Sequence, residues 1–219
     1  MINTVKGRGS GRPVRLVVGV ADVVPKLLAS RILESALKLP QAVQIVCWEN
    51  KLDRLLAELA IHELDLVLAD SPVPPTVKVQ AHSHLLGESE VTLFASARLS
   101  VKHRRMFPQS LEGAPFLLPT NNSTLRRSLD SWFLSKSIQP KIVGEFEDSA
   151  TLKAFGQAGH GIFPGSAVIK QEICQQYKVQ VVGQADSVRQ RFYGITVERR
   201  LSHPAVVAIF EQVRKKLLR

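Results

Sequence analysis

The stretches VRLVVGV (residues 14–20), VQIVCW (43–48) and DLVLA (65–69) are short apolar runs of strand length, and two segments of helical periodicity separate them. From about Pro25 to Leu39, Leu27, Leu28, Ile32, Leu33 and Leu37 fall on one side of a helix. From about Lys51 to His62, Leu52, Leu55, Leu56 and Leu59 follow the i, i+3, i+4, i+7 spacing of an apolar stripe. Pro25 suits a first turn, Pro40 stops the first helix, and Asn50 is placed to cap the second. Strand, helix, strand, helix, strand predicts three buried parallel strands with covering helices. The carboxyl ends of such strands open on one edge, where open α/β sheets bind ligands. Asp22 and Val23 lie just past the first strand, and Glu49 and Asn50 just past the second.

The rest of the chain repeats the theme. After the Pro-rich break at 71–75, strands are expected at about His84–Gly87 and Glu90–Ala95, and a basic loop or short helix at Arg98–Pro108. A second series follows: strand Phe116–Leu118, turn Pro119–Ser123, helix Thr124–Ser137, strand Lys141–Glu145, helix Ser149–Ala158 and strand Gly161–Phe163. The helix at 124 buries Leu125, Leu129, Trp132 and Phe133. Helix Ala167–Gln176, strands Lys178–Val182 and Arg191–Val197, and helix Pro204–Leu218 complete the pattern, with Val206, Phe210, Val213 and Leu217 inward. The predicted fold is α/β, with two Rossmann-like lobes joined by a two-stranded hinge. Residues 1–12 form a leader or linker remnant, 13–95 with 194–219 lobe I, and 96–193 lobe II. The crossings are expected near Leu93–Ser96 and Phe192–Ile195, and the cleft between the lobes is suited to open and close on a ligand.

Composition narrows the function. The 219 residues are 45% hydrophobic and 22% charged, as in ordinary globular proteins. No apolar run is long enough to span a bilayer, and Met1–Arg15 lacks a signal-peptide core. Cys47, within an apolar strand, is expected to be a buried free thiol, which with Cys174 fits a reducing cytoplasm. The net charge of +10 favours anions in general, but the cations are scattered and no aromatic residues interleave with them as in a base-stacking platform.

Catalytic signatures do not emerge. Gly7, Gly9 and Gly11 precede any strand, so they are no dinucleotide fingerprint, and there is neither a GxSxG elbow nor an HExxH helix. His82 and His84 share a strand face, but without Cys or carboxylate partners at a matching spacing a surface strand explains them better than a metal does. A constellation of polar residues at strand ends is more informative. It comprises Asp22, Val23, Glu49 and Asn50 from the first unit, Ser96 at the crossover, and Thr120, Asn121, Asn122, Ser123, Glu147, Asp148 and Phe163 from the second. The N–H groups that open the helix at 124 suit an anion. Asp22, Glu49, Glu147 and Asp148 converging would instead suit a cation such as Na⁺, above all at Asp22 and Asp148. Taken singly, Asn50, Ser123 and Asp148 also read as helix caps and Asp22 as a turn residue. No cofactor is implied.

The segments RLVVGVADVVPKLLASRIL, VQIVCWENKLDRLLAELAIHELDLVLAD, GEFEDSATLKAFGQAGHGIFPGSAV and HPAV with its terminal helix resemble the effector-binding domain of LysR-type transcriptional regulators. The resemblance covers Pro13–Arg219, and its details are similar to the subgroup that activates sodium/proton antiporter genes. It implies a non-enzymatic sensor of a small effector, a monovalent cation or small organic anion, acting by lobe closure and rearrangement of a homodimer or tetramer. Family regulatory domains pair antiparallel, which implies helix 25–38 against helix 124–137 of the mate. DNA and RNA polymerase would be partners only through the full-length protein, because the winged helix-turn-helix of such regulators is absent from these residues. No membrane partner is expected. A solute-binding protein of a transporter is the alternative with the same lobes.

Overall fold

The computed structural model describes residues 12–121 and 123–216, with side chains to Val213. The predicted alternation is present. β1 (Val14–Ala21), α1 (Lys26–Leu33), β2 (Val43–Asn50), α2 (Leu52–Ala60) and β3 (Leu66–Ala69) build the first lobe. β1 lies between β2 and β3, parallel to both. Leu16, Val18, Leu55, Leu56, Leu59, Leu66 and Val67 are fully buried, as their periodicities require.

Four expectations need correction. β2 is an edge strand and not a buried one, since it pairs only with β1, and so Cys47 is exposed rather than buried. The first helix stops at Leu33 and resumes as a single 3₁₀ turn at Ala36–Lys38, which turns Leu37 outward. Asn50 does not cap α2: it is the last residue of β2, and its Oδ1 accepts from the N–H of Lys51 at 2.9 Å. The two strands expected at 84–87 and 90–95 are one, β4 (His82–Ala95), just as the two expected at 178–182 and 191–197 are one, β8 (Gln180–Thr196).

β4 and β8 pair antiparallel along their whole lengths, from His82 opposite Thr196 to Ala95 opposite Gln180, with irregular register around Leu85–Gly87 and Glu90–Val91. This ribbon runs through both lobes, and the boundaries expected at 95/96 and 193/194 lie towards its opposite ends, Ala95 facing Gln180 and Tyr193 facing Leu85. At one end β8 pairs with β3 through Tyr193–Ile195, and at the other β4 pairs with β7 (Phe163–Ser166). His84 serves this scaffold, with Nε2 3.3 Å from Thr196 Oγ1 and its ring edge-on to Phe210.

The second lobe adds α3 (Ala97–Arg104), β5 (Pro115–Pro119), α4 (Thr124–Ser135), β6 (Lys141–Phe146), α5 (Ser149–Gln157) and α6 (Lys170–Tyr177). β5 and β6 are parallel, and a Phe116–Ile162 bridge joins them to β7. Leu129, Trp132 and Phe133 of α4 pack with Phe116, Leu118 and Val91 in a core of their own. α5 approaches β7 so closely that a Cβ on Gly156 would lie 2.1 Å from the Phe163 ring, so no larger residue fits there without displacement. α7 (Pro204–Lys216) returns to the first lobe and buries Val206, Phe210 and Val213. Leu217 and the leader through residue 11 lie outside the described residues.

Candidate effector cleft

A cavity of about 50 Å³ lies where the two lobes and the ribbon meet. The first lobe contributes Val23, Pro25 and Asp70 to its wall. The second contributes Thr120, Ser123, Leu125, Phe146 and Glu147 from the ends of β5 and β6, and Ser149, Leu152 and Lys153 from α5. Pro164, Gly165, Ser166, Ile169 and, on β8, Gln190 close it.

The N-terminus of α4 is held from three sides. Ser123 caps it, its Oγ accepting from the N–H of Arg126 at 3.1 Å. The buried Arg126 guanidinium donates to both Asp130 oxygens at 3.0 Å, to the Pro119 carbonyl at 3.0 Å and to Glu145. Burial works against the charge of Arg126, but these carboxylates outweigh it and keep its pKa raised. Thr124 then donates through Oγ1 to Asp70 Oδ2 at 2.5 Å, which joins α4 to the end of β3 in the other lobe.

The acidic residues are met by the chain's own ammonium groups. Lys26 of α1 bonds Glu49 and lies 4.0 Å from Asp148, and Lys51 lies 3.9 Å from Glu147. Asp148 caps α5, accepting from the N–H groups of Ala150 at 3.1 Å and Thr151 at 2.7 Å and from the Thr151 hydroxyl at 2.7 Å. Burial pushes the Asp148 carboxyl up, yet these bonds and Lys26 hold it below the usual carboxylate range. Asp22 goes the other way: burial and Glu147 raise it against the Val23 N–H, Lys51 and Lys26. Among the described residues, no group of three or more His, Cys, Asp or Glu is arranged to hold a metal ion.

Of the residues expected at the site, Val23, Thr120, Ser123 and Glu147 line the cavity. Asp22, Glu49, Asn50 and Asp148 stand beside it in the roles just described. Ser96 is elsewhere, at the start of α3 and facing Gly159. Asn121 is exposed, and Phe163 is fully buried, stacked on Phe94. Asn122 lies outside the described residues.

Lys153 and Gln190 were not foreseen, although both left a trace in the sequence. Lys153 lies on the buried stripe Leu152–Lys153–Gly156 of α5, and Gln190 alternates inward with Val188 and Phe192 on β8. Lys153 Nζ donates to the Ser149 carbonyl at 3.0 Å and to Ser149 Oγ at 3.1 Å. Burial lowers its pKa to about 8; Asp148 opposes that shift and Lys26 reinforces it.

Two lobes on a shared ribbon, with a cavity walled by both, define a ligand-sensing domain of the periplasmic-binding-protein-like class. The chain belongs to the family described as the LysR substrate binding domain, whose model matches residues 9–218. Its members are transcriptional regulators and not enzymes. The chain is 32% identical over 192 residues to the transcriptional activator protein NhaR of Escherichia coli (strain K12), and equally to that of Shigella flexneri. The match covers 88% of this chain and 63% of either relative, so the chain spans about 63% of the length of the curated relatives it matches. Among solved structures, the LysR family regulator HinK from Pseudomonas aeruginosa superposes with a TM-score of 0.73 at 14% identity, covering 94% of this chain and 71% of that one. The effector binding domain of QuiR in complex with shikimate gives 0.68 at 14% identity, covering 93% and 97%.

Proposed function

We propose that this chain is the effector-sensing part of a cytoplasmic transcriptional activator that controls sodium/proton antiporter and related stress genes, and that it works by lobe closure. The observation that carries this reading is the cavity itself. It is walled at once by Val23 and Asp70 of one lobe, Thr120 and Lys153 of the other, and Gln190 of the ribbon. A ligand with such contacts has more affinity for the closed arrangement than for an open one, and so shifts their populations. The relationship to NhaR supports the choice of genes.

The signal leaves through a partner subunit. β2 and β6 end their sheets unpaired, carrying exposed Trp48 on one and Ile142 and Val143 on the other. Leu134 of α4 is 81% exposed, and Leu37 projects beyond α1. Two apolar edges at opposite ends of one molecule suit an antiparallel pair, with α1 and β2 of each protomer against α4 and β6 of its mate. Closure of the lobes then changes the spacing between protomers.

The test fills the cavity in the full-length regulator. Ser149→Phe is expected to abolish induction from an antiporter-gene promoter while leaving operator affinity in gel-shift titration unchanged. Undiminished induction overturns the proposal.

A further inference from the structure

The cavity wall contains two polar groups whose bonding capacity is unused. Lys153 is 5% exposed, and of its three ammonium donors two go to Ser149, leaving one without a partner among the described residues. Gln190 is 6% exposed, and its side-chain oxygen is buried with no hydrogen-bond partner. Buried polar groups are costly unless paired, so each marks a place for a complementary atom. The other charged groups on the wall have partners: Asp70 accepts from the Thr124 hydroxyl, and Glu147 lies 3.9 Å from Lys51 across the cleft. Lys153 keeps a spare ammonium donor, and a buried ammonium with a spare donor calls for an anionic acceptor.

Size and lining restrict that anion further. A space of about 50 Å³ admits only a small molecule. Lys153 and Gln190 line this same cavity, so a single occupant meets both walls. Phe146, Leu152, Pro164 and Ile169 supply apolar surface for its remainder.

Resting on the reading of the cleft as the effector site, we propose that it takes a short carboxylate bearing a hydroxyl or amino donor on the neighbouring carbon, its carboxylate on Lys153 and its donor on Gln190. A bare monovalent cation is repelled by the Lys153 ammonium and leaves its donor unpaired. A simple fatty acid satisfies Lys153 and leaves Gln190 unpaired, a difference that polar sites convert into strong discrimination. Ammonium charge on Lys153 is required, under the influence of Asp148 on its own helix and Lys26 from α1.

The experiment is calorimetry and thermal-shift titration of the 219-residue chain with lactate, alanine, propionate and sodium chloride as probes. Lactate or alanine is expected to bind at least about tenfold more tightly than propionate. Lys153→Met should abolish binding of each carboxylate. Gln190→Met should reduce the preferred probe to the level of propionate, and both variants are first checked for a cooperative melt. Affinity for lactate should fall about tenfold per pH unit above pH 8. Equal affinity for propionate and lactate, or binding that ignores Gln190→Met, overturns this assignment but leaves the cleft as a carboxylate site. A response to sodium chloride alone, or carboxylate binding untouched by Lys153→Met and by Ser149→Phe, overturns the reading of the cleft as well.

Discussion

The hydroxyl of Thr124 and the carboxylate of Asp70 are 2.5 Å apart, although they belong to different lobes. Asp70 follows β3, Thr124 is the first residue of α4, and the bond spans the cleft next to the cavity. The negative carboxylate also faces the positive end of the α4 dipole, which favours the same approach. Thr124→Val keeps the shape of the side chain and removes only the donor. It should destabilise the closed arrangement by about 1.5 kcal/mol, the low end of the range for a hydrogen bond to a charged group. Small-angle scattering should then show a larger radius of gyration, and effector affinity should drop roughly tenfold. An unchanged radius and unchanged affinity would mean that the bond plays no part in closure.

Lys153 should cost stability for the sake of binding. Its pKa is lowered to about 8 when folded and returns towards 10.5 when unfolded. The unfolded chain therefore binds more protons between these values, and stability rises with pH across that window. Below pH 8 the full penalty applies, on the order of 3 kcal/mol at most from the shift. Lys153→Met should consequently melt higher than wild type at pH 7, and the gap should narrow as pH rises from 8 towards 10.5. A variant less stable than wild type at pH 7 refutes the sign.

Asp148 contributes in the opposite sense. Its carboxyl titrates below the usual range because both oxygens receive bonds from the first turn of α5. The stabilisation is complete above the unfolded value near 3.8 and is lost as pH falls through the lower folded value. Asp148→Ala should cost about 1 kcal/mol at pH 7 through loss of the cap. Because Lys153 hangs from the same helix, effector affinity should fall as well. The deficit relative to wild type should shrink at pH 2–3 in acid denaturation, whereas a constant deficit would point away from the cap.

The opening β-α-β-α-β block was legible because periodicity registers burial, and burial there is strong: Leu55, Leu56 and Leu59 are fully enclosed where their spacing places them. Edge position was not legible. VQIVCW has the composition of a core strand, and only the sheet order reveals that Cys47 and Trp48 face outward. The long ribbon was read in pieces because Gly87 and the polar run Glu88–Glu90 interrupt the apolar pattern while hydrogen bonding continues through them. At the candidate site, strand-end logic pointed to the edge where the cavity lies but favoured residues with recognisable turn chemistry. Asp148 and Ser123 are helix caps, and Ser96 opens α3 against Gly159. The polar groups that face the cavity, Lys153 and Gln190, betray themselves only by occupying positions that their elements reserve for apolar residues.

The exposed apolar edges give the last prediction. An edge strand bearing Cys47 and Trp48, with no strand on its outer side among the described residues, is an aggregation hazard unless something covers it, and the second lobe offers a matching edge at Ile142 and Val143 beside Leu134. In an antiparallel dimer each protomer uses both surfaces, so one substitution strikes the interface twice. Trp48→Glu and Leu134→Glu alter side chains outside the described cores, so each should leave the melting of the monomer within about 0.5 kcal/mol of wild type. Each should nevertheless weaken self-association at least tenfold in sedimentation equilibrium, about 1.4 kcal/mol per factor of ten. Because the paired edges are different surfaces, mixing the two variants should restore one intact contact per heterodimer. Association in the mixture should therefore exceed that of either variant alone. Self-association unaffected by both charges assigns the pairing surface elsewhere, and a mixture no stronger than its parts shows that the two edges do not meet.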